Sequence, residues 1–103
     1  MKKLSKRVTF MDFDCEVLIS EYRNNGRTAI MLQDVDDKQP VTTATVNIPE
    51  ASLEDDEVII RNSEQNEGIL EVLEKAGILE PTGRSIKSGF ITCPVCKLKI
   101  KEN

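Results

Sequence analysis

A chain of 103 residues, 39% apolar and 31% charged, can bury one hydrophobic core and is too small for two. Its formal charge of −4 excludes the broad basic footprint that general nucleic-acid binding needs. Histidine is absent, which removes Ser-His-Asp and Cys-His pairs, the usual general base and the commonest metal ligand.

No apolar run approaches the roughly 20 residues of a membrane span. The basic opening Met1 to Arg7 resembles the start of a signal peptide, but no apolar stretch follows it. The expectation is therefore a single domain over 1–103, cytoplasmic and without membrane contact, with a flexible N-terminus at 1–6 and a tail at 101–103. In that compartment Cys15, Cys93 and Cys96 are reduced thiols.

Taken in order, Val8 to Met11 predicts a short strand and Asp12-Phe13-Asp14 a tight turn. Cys15, Val17 and Ile19 then alternate with Glu16, Leu18 and Ser20, the period of a half-buried strand. That alternation makes Cys15 a small core residue. Asn24-Asn25-Gly26 tolerates the positive φ of hairpin turns, and Thr28 to Val35 is the returning strand. Asp36 to Pro40 turns the chain again into a strand over Val41 to Ile48. Such short connections imply an antiparallel meander.

Pro49 to Asp56 reads as an acidic loop and Glu57 to Arg61 as a short strand. A helix over about 66–77 follows, with Ile69, Leu70, Leu73 and Ala76 on one stripe. Asn66 is its expected N-cap, and Gly77 ends it in the left-handed conformation so that Ile78 folds back towards Leu73. Pro81 to Arg84 is expected as a turn, with strands at Ile86 to Thr92 and Val95 to Lys101. The exposed lysines of the last strand suit a sheet edge. The sum is an α+β domain: a mostly antiparallel sheet of about five to seven short strands with one helix on one face.

Charge is unevenly spread. From Glu50 to Glu80 ten acidic residues face only Arg61 and Lys75, a local balance of about −8. Glu54, Asp55, Asp56, Glu57, Glu64, Glu67, Glu71 and Glu74 form either a solvated face or an interaction surface.

One motif carries chemistry: Cys93-Pro94-Val95-Cys96. Two thiols separated by two residues supply half of a tetrahedral zinc site, so a complete site needs Cys93 and Cys96 from each of two chains. The alternative is a pair of thiols on a strand with no cofactor. Arg27 and Arg84 each close a polar loop, and together could meet a carboxylate or phosphate if both loops share one end of the sheet. With no nucleophile and base pairing and no glycine-rich phosphate loop, the chain reads as non-enzymatic.

Several segments, among them Tyr22 to Ala29, Thr43 to Pro49, Asn66-Glu67-Gly68, Ala76-Gly77-Ile78, Pro81 to Arg84 and Pro94 to Leu98, resemble a small uncharacterised family carried on bacterial conjugative elements and prophages. The resemblance implies a cytoplasmic accessory protein of a mobile element and supplies no catalytic or binding residue. The leading expectation is a protein partner, with the acidic block acting as an inhibitor of a host nucleic-acid-handling or defence complex. The alternative is a structural homodimer bridged by zinc or thiols at Cys93 and Cys96, so a monomer and a homodimer both stay open.

Overall fold

The computed structural model of the chain describes residues 2–99. The expected tail at 101–103 lies outside them, as does the end of the last expected strand. Among the described residues the protein is α+β, with seven strands in two antiparallel sheets and one α-helix. The first sheet is the meander β1 (Lys2–Phe10), β2 (Phe13–Glu21), β3 (Thr28–Asp34) and β4 (Pro40–Thr43), in that spatial order. The second is built from β5 (Glu57–Ile59), β6 (Leu79–Ser88) and β7 (Ile91–Leu98), with β7 in the middle. A 3₁₀ turn at Glu64–Asn66 precedes α1 (Ile69–Lys75).

A short non-strand segment joins the sheets. Ala44 N–H donates to Ile30 O at 2.8 Å, Arg61 N–H to Ala44 O at 2.9 Å and Val46 N–H to Ile59 O at 3.0 Å, around a bridge between Thr45 and Ile60. Backbone hydrogen bonding thus runs from β3 into β5. This is why the expected strand over Val41 to Ile48 is split: after Thr43 it leaves β3 to serve both sheets. On the other side α1 packs against β1 and β6. The main core lies between, with Val17, Ile30, Leu32, Ile60, Ile69, Leu73 and Ile78 all fully buried. A smaller core of Ile59, Cys93 and Val95 sits beneath Val46, Ile48, Ala51 and Leu53.

Several boundaries differ from expectation. Residues 2–6, expected to be flexible, belong to β1, where Lys2 and Lys3 pair with Ile19 and Leu18. The turn falls at Met11 and Asp12, not at Asp12 to Asp14, because Phe10 and Phe13 are register partners. Pro81 to Arg84 is not a turn but a bulge inside β6, where the register slips between Pro81 and Ser85. β7 runs through Pro94 and is central, not an edge. The Pro94 carbonyl accepts from Ile60 N–H at 2.9 Å, just beyond the end of β5, so the side on which Pro94 lacks a donor is where the β5 pairing stops.

The helix is shorter than its apolar stripe implied. It starts at Ile69, and Gly68 at φ 91° is its N-cap. Asn66 instead lies buried in the 3₁₀ turn. It accepts from Thr42 Oγ1 at 2.5 Å and donates to Thr43 O at 2.9 Å, tying the turn to β4. Asn62 satisfies a helix donor from outside, accepting from Leu70 N–H at 3.0 Å. The C-terminus forms as expected: Gly77 has φ 75°, and Ile78 N–H reaches Leu73 O at 3.1 Å. Lys6 Nζ caps Ala76 O at 2.6 Å, and a Cβ on Gly77 would come within 2.9 Å of that nitrogen.

Glu16 is the one buried acid of the first sheet. Its carboxylate meets Lys38 at 2.9 Å, Lys3 at 3.0 Å and the amide of Gln33 at 3.3 Å. The hydrogen bonds from Lys38 and Lys3 hold its pKa down, at about 2.

Two outcomes follow. Asn66→Ala removes both hydrogen bonds from a buried site, and urea unfolding should show a loss of about 2–3 kcal/mol. The Glu16 cluster adds stability that is complete above the ordinary carboxylate range and is lost as pH falls from about 4.5 to about 2. The difference in urea midpoint between the native chain and Glu16→Gln should therefore narrow through that window and be constant above it.

Candidate functional site

The loop from Ile48 to Glu57 carries half of the acidic block, and two arginines hold it. From the β2–β3 turn, Arg27 donates to Ile48 O at 2.7 Å and also to Ala51 O. From the β6 bulge, Arg84 donates to both carboxylate oxygens of Glu57 at 3.1 Å and to Ser52 O at 3.0 Å. Both expected loops do share one end of the molecule. Their guanidinium groups, however, are spent on this loop and are not offered to a ligand. Arg84 can reach because Gly83, at φ 89°, lets β6 bulge outwards.

Further bonds stiffen the assembly. Glu57 accepts from Glu54 N–H at 2.9 Å, and Asn47 bonds both Asn24 and Asn25 across the gap to the β2–β3 turn. Beside them is a cleft of about 190 Å³ lined by Asn25, Arg27, Thr28, Leu53, Glu54 and Asp55 among others. It is small and polar, without the mostly apolar lining of a small-molecule pocket.

The eight expected interaction residues fall into two groups. Glu54, Asp55, Asp56 and Glu57 belong to the clamped loop and the start of β5. Glu64, Glu67, Glu71 and Glu74 belong to the 3₁₀ turn and helix. Asp56 pairs with Lys97 at 3.5 Å, Glu57 with Arg84 and Glu64 with Arg61 at 3.1 Å. Glu54, Asp55, Glu67, Glu71 and Glu74 are exposed, and none is in an ion pair among the described residues. The block is thus partly neutralised by cations distant in sequence, which counting along the chain could not reveal.

The cysteine motif has a different fate. Residues three apart on a strand point to opposite faces. Cys93 accordingly lies in the smaller core and Cys96 in the main one. Their thiols do not converge, so the pair cannot supply two ligands to one metal from one chain. No cluster of three or more potential ligands occurs among the described residues. Cys15 and Cys96 share the main core as buried residues. Burial and the nearby charge of Glu74 push the Cys96 thiol up to about 12. Burial also raises Cys93, against a weaker opposing pull from Arg61, and raises Cys15, with Asp34 adding to the effect.

Comparison with protein-family models, curated proteins and solved structures returns no match.

Because all three thiols are buried and held protonated, alkylation should proceed only through opening of the fold. Iodoacetamide labelling followed by mass spectrometry should find Cys15, Cys93 and Cys96 unmodified in the native protein and fully modified in concentrated urea.

Proposed function

We propose that this chain is a non-enzymatic accessory protein that works by binding another protein, with the acids of the clamped loop and helix as its contact surface. The observation that carries this reading is the double arginine clamp. A charged loop held by internal bonds loses little conformational freedom on binding, so its carboxylates act as a preorganised surface. Glu54 and Asp55 face solvent on that loop with no ion pair among the described residues, and Glu67, Glu71 and Glu74 do the same on the helix side. A partner with a basic surface fits this charge, and charge complementarity would speed the encounter and set its specificity. Taken with the resemblance to proteins of conjugative elements and prophages, the partner class is a host nucleic-acid-handling or defence complex, inhibited by carboxylates standing where phosphates would bind.

The test is isolation of the tagged protein from its own bacterial host under reducing conditions, with mass spectrometry of what co-purifies. The variant Glu54→Gln, Asp55→Asn, Glu71→Gln, Glu74→Gln should keep its far-UV circular dichroism and lose the partner. Affinity for the native chain should fall steeply between about 50 and about 500 mM salt. Binding indifferent to both changes would exclude an electrostatic surface.

A further inference from the structure

The end of the first sheet where β1 turns into β2 holds large apolar side chains in solvent. Met11 is 58% exposed and Phe13 45% exposed, while their neighbour Phe10 is buried in the main core. Met11 and Asp12 form the two-residue connection, both at positive φ. Methionine there adds nothing to the core and is a poor residue for such a turn, where Asn or Gly would serve better.

The β3–β4 turn lies beside this tip, since Val35 N–H donates to Asp14 O at 3.0 Å and Asp34 is the register partner of Cys15. The two turns together bring Asp12, Asp14, Asp34, Asp36 and Asp37 to the same end of the sheet as the apolar pair, with Asp14 on the face opposite Phe13. All but the half-buried Asp34 are exposed. Thr9 Oγ1 bonds Asp14 at 3.1 Å, Asp36 N–H bonds Asp34 at 2.8 Å and Gln39 N–H bonds Asp37 at 3.0 Å, which fixes three of the carboxylates. None of the five is in an ion pair among the described residues. The lysine of this turn, Lys38, is committed to Glu16, and so is Lys3. The acidic block downstream differs, because Asp56, Glu57, Glu64 and Glu80 there have cationic partners.

We propose that the Met11–Phe13 tip is a docking surface for a lysine- or arginine-rich segment of a partner protein that carries at least one apolar side chain. The apolar pair provides area to bury, and the uncompensated aspartates select the charge of what covers it. An acidic segment is repelled, and a purely apolar one leaves the carboxylates unanswered at the rim. Phe90, fully exposed at the β6–β7 turn, is the only other large apolar side chain out in solvent among the described residues. The proposal rests on the protein-binding reading but assigns the contact to a different surface from the clamped loop.

Selection from a random-peptide phage library against the folded protein tests it. Enriched peptides should combine Lys or Arg with Leu, Met or an aromatic residue. Synthetic copies should lose about tenfold or more in affinity on Met11→Asn with Phe13→Thr, and similarly on Asp36→Asn with Asp37→Asn. Asn tolerates the left-handed turn and Thr suits a strand, so both variants should melt with the native chain, and the aspartate pair stands as a second test should the first variant unfold. Enrichment without basic residues, affinity unchanged in both variants, or no enrichment at all would overturn the proposal. Concentration-dependent self-association lost in the tip variant would assign the surface to a second copy of this chain and would also overturn it. A Glu54→Gln, Asp55→Asn variant separates the two readings: loss of binding there, with the tip variants unaffected, removes this proposal and leaves the clamped loop standing.

Discussion

The fold depends on the few backbone hydrogen bonds by which Ala44 and Val46 join the two sheets. Without them there would be a four-stranded meander and a three-stranded sheet, each with an apolar face open to water. With them the two faces enclose one core, and the helix covers the remaining gap between β1 and β6. A polar side chain protects the junction: Thr45 Oγ1 accepts from Ile30 N–H and shares a hydrogen bond with Tyr22. Buried backbone groups that change partners must all be satisfied, and here the threonine covers the one that the departing strand leaves behind.

Charge plays two separate parts. At Glu16, Arg27 and Arg84 it is turned inwards, where it fixes strands and loop relative to each other. Elsewhere it is left facing solvent, and the two sets are linked by supply. Each lysine or arginine drawn into an internal bond leaves acids elsewhere without a counter-charge. The surface field of this protein is therefore partly a consequence of how its interior is fastened.

The inward set Cys15, Val17 and Ile19 of β2, the turn at Asn24 to Gly26 and the glycine stop of the helix were legible because each depends on neighbours in sequence; that β2 is buried on its other face too, at Glu16 and Leu18, was not. The α+β class followed from those local signals. What could not be read depends on distant partners. Asn66 looks like an N-cap until β4 arrives to take its side chain. Lys2 to Lys6 carry no apolar pattern, and they become a strand because β2 offers an edge and α1 a carbonyl. The cysteine pair looked like half a metal site because its spacing suits a loop, and on a strand the same spacing divides it. The arginines at 27 and 84 were visible as a pair, but their inward use was not. The aspartates of the first sheet were passed over because they are scattered between residues 12 and 37, and only the pairing of β2 with β3 gathers them.

Pro94 gives β7 a further property. Beside Pro94, near the middle of this central strand, the register slip between Pro81 and Ser85 divides the β6–β7 hairpin into two lengths. The length from Leu79 and Leu98 is rooted in the main core beside the helix, and the length with Ile86, Ile91 and Cys93 in the smaller one. Each half has its own foundation, so the joint between them is the natural place for the hairpin to bend.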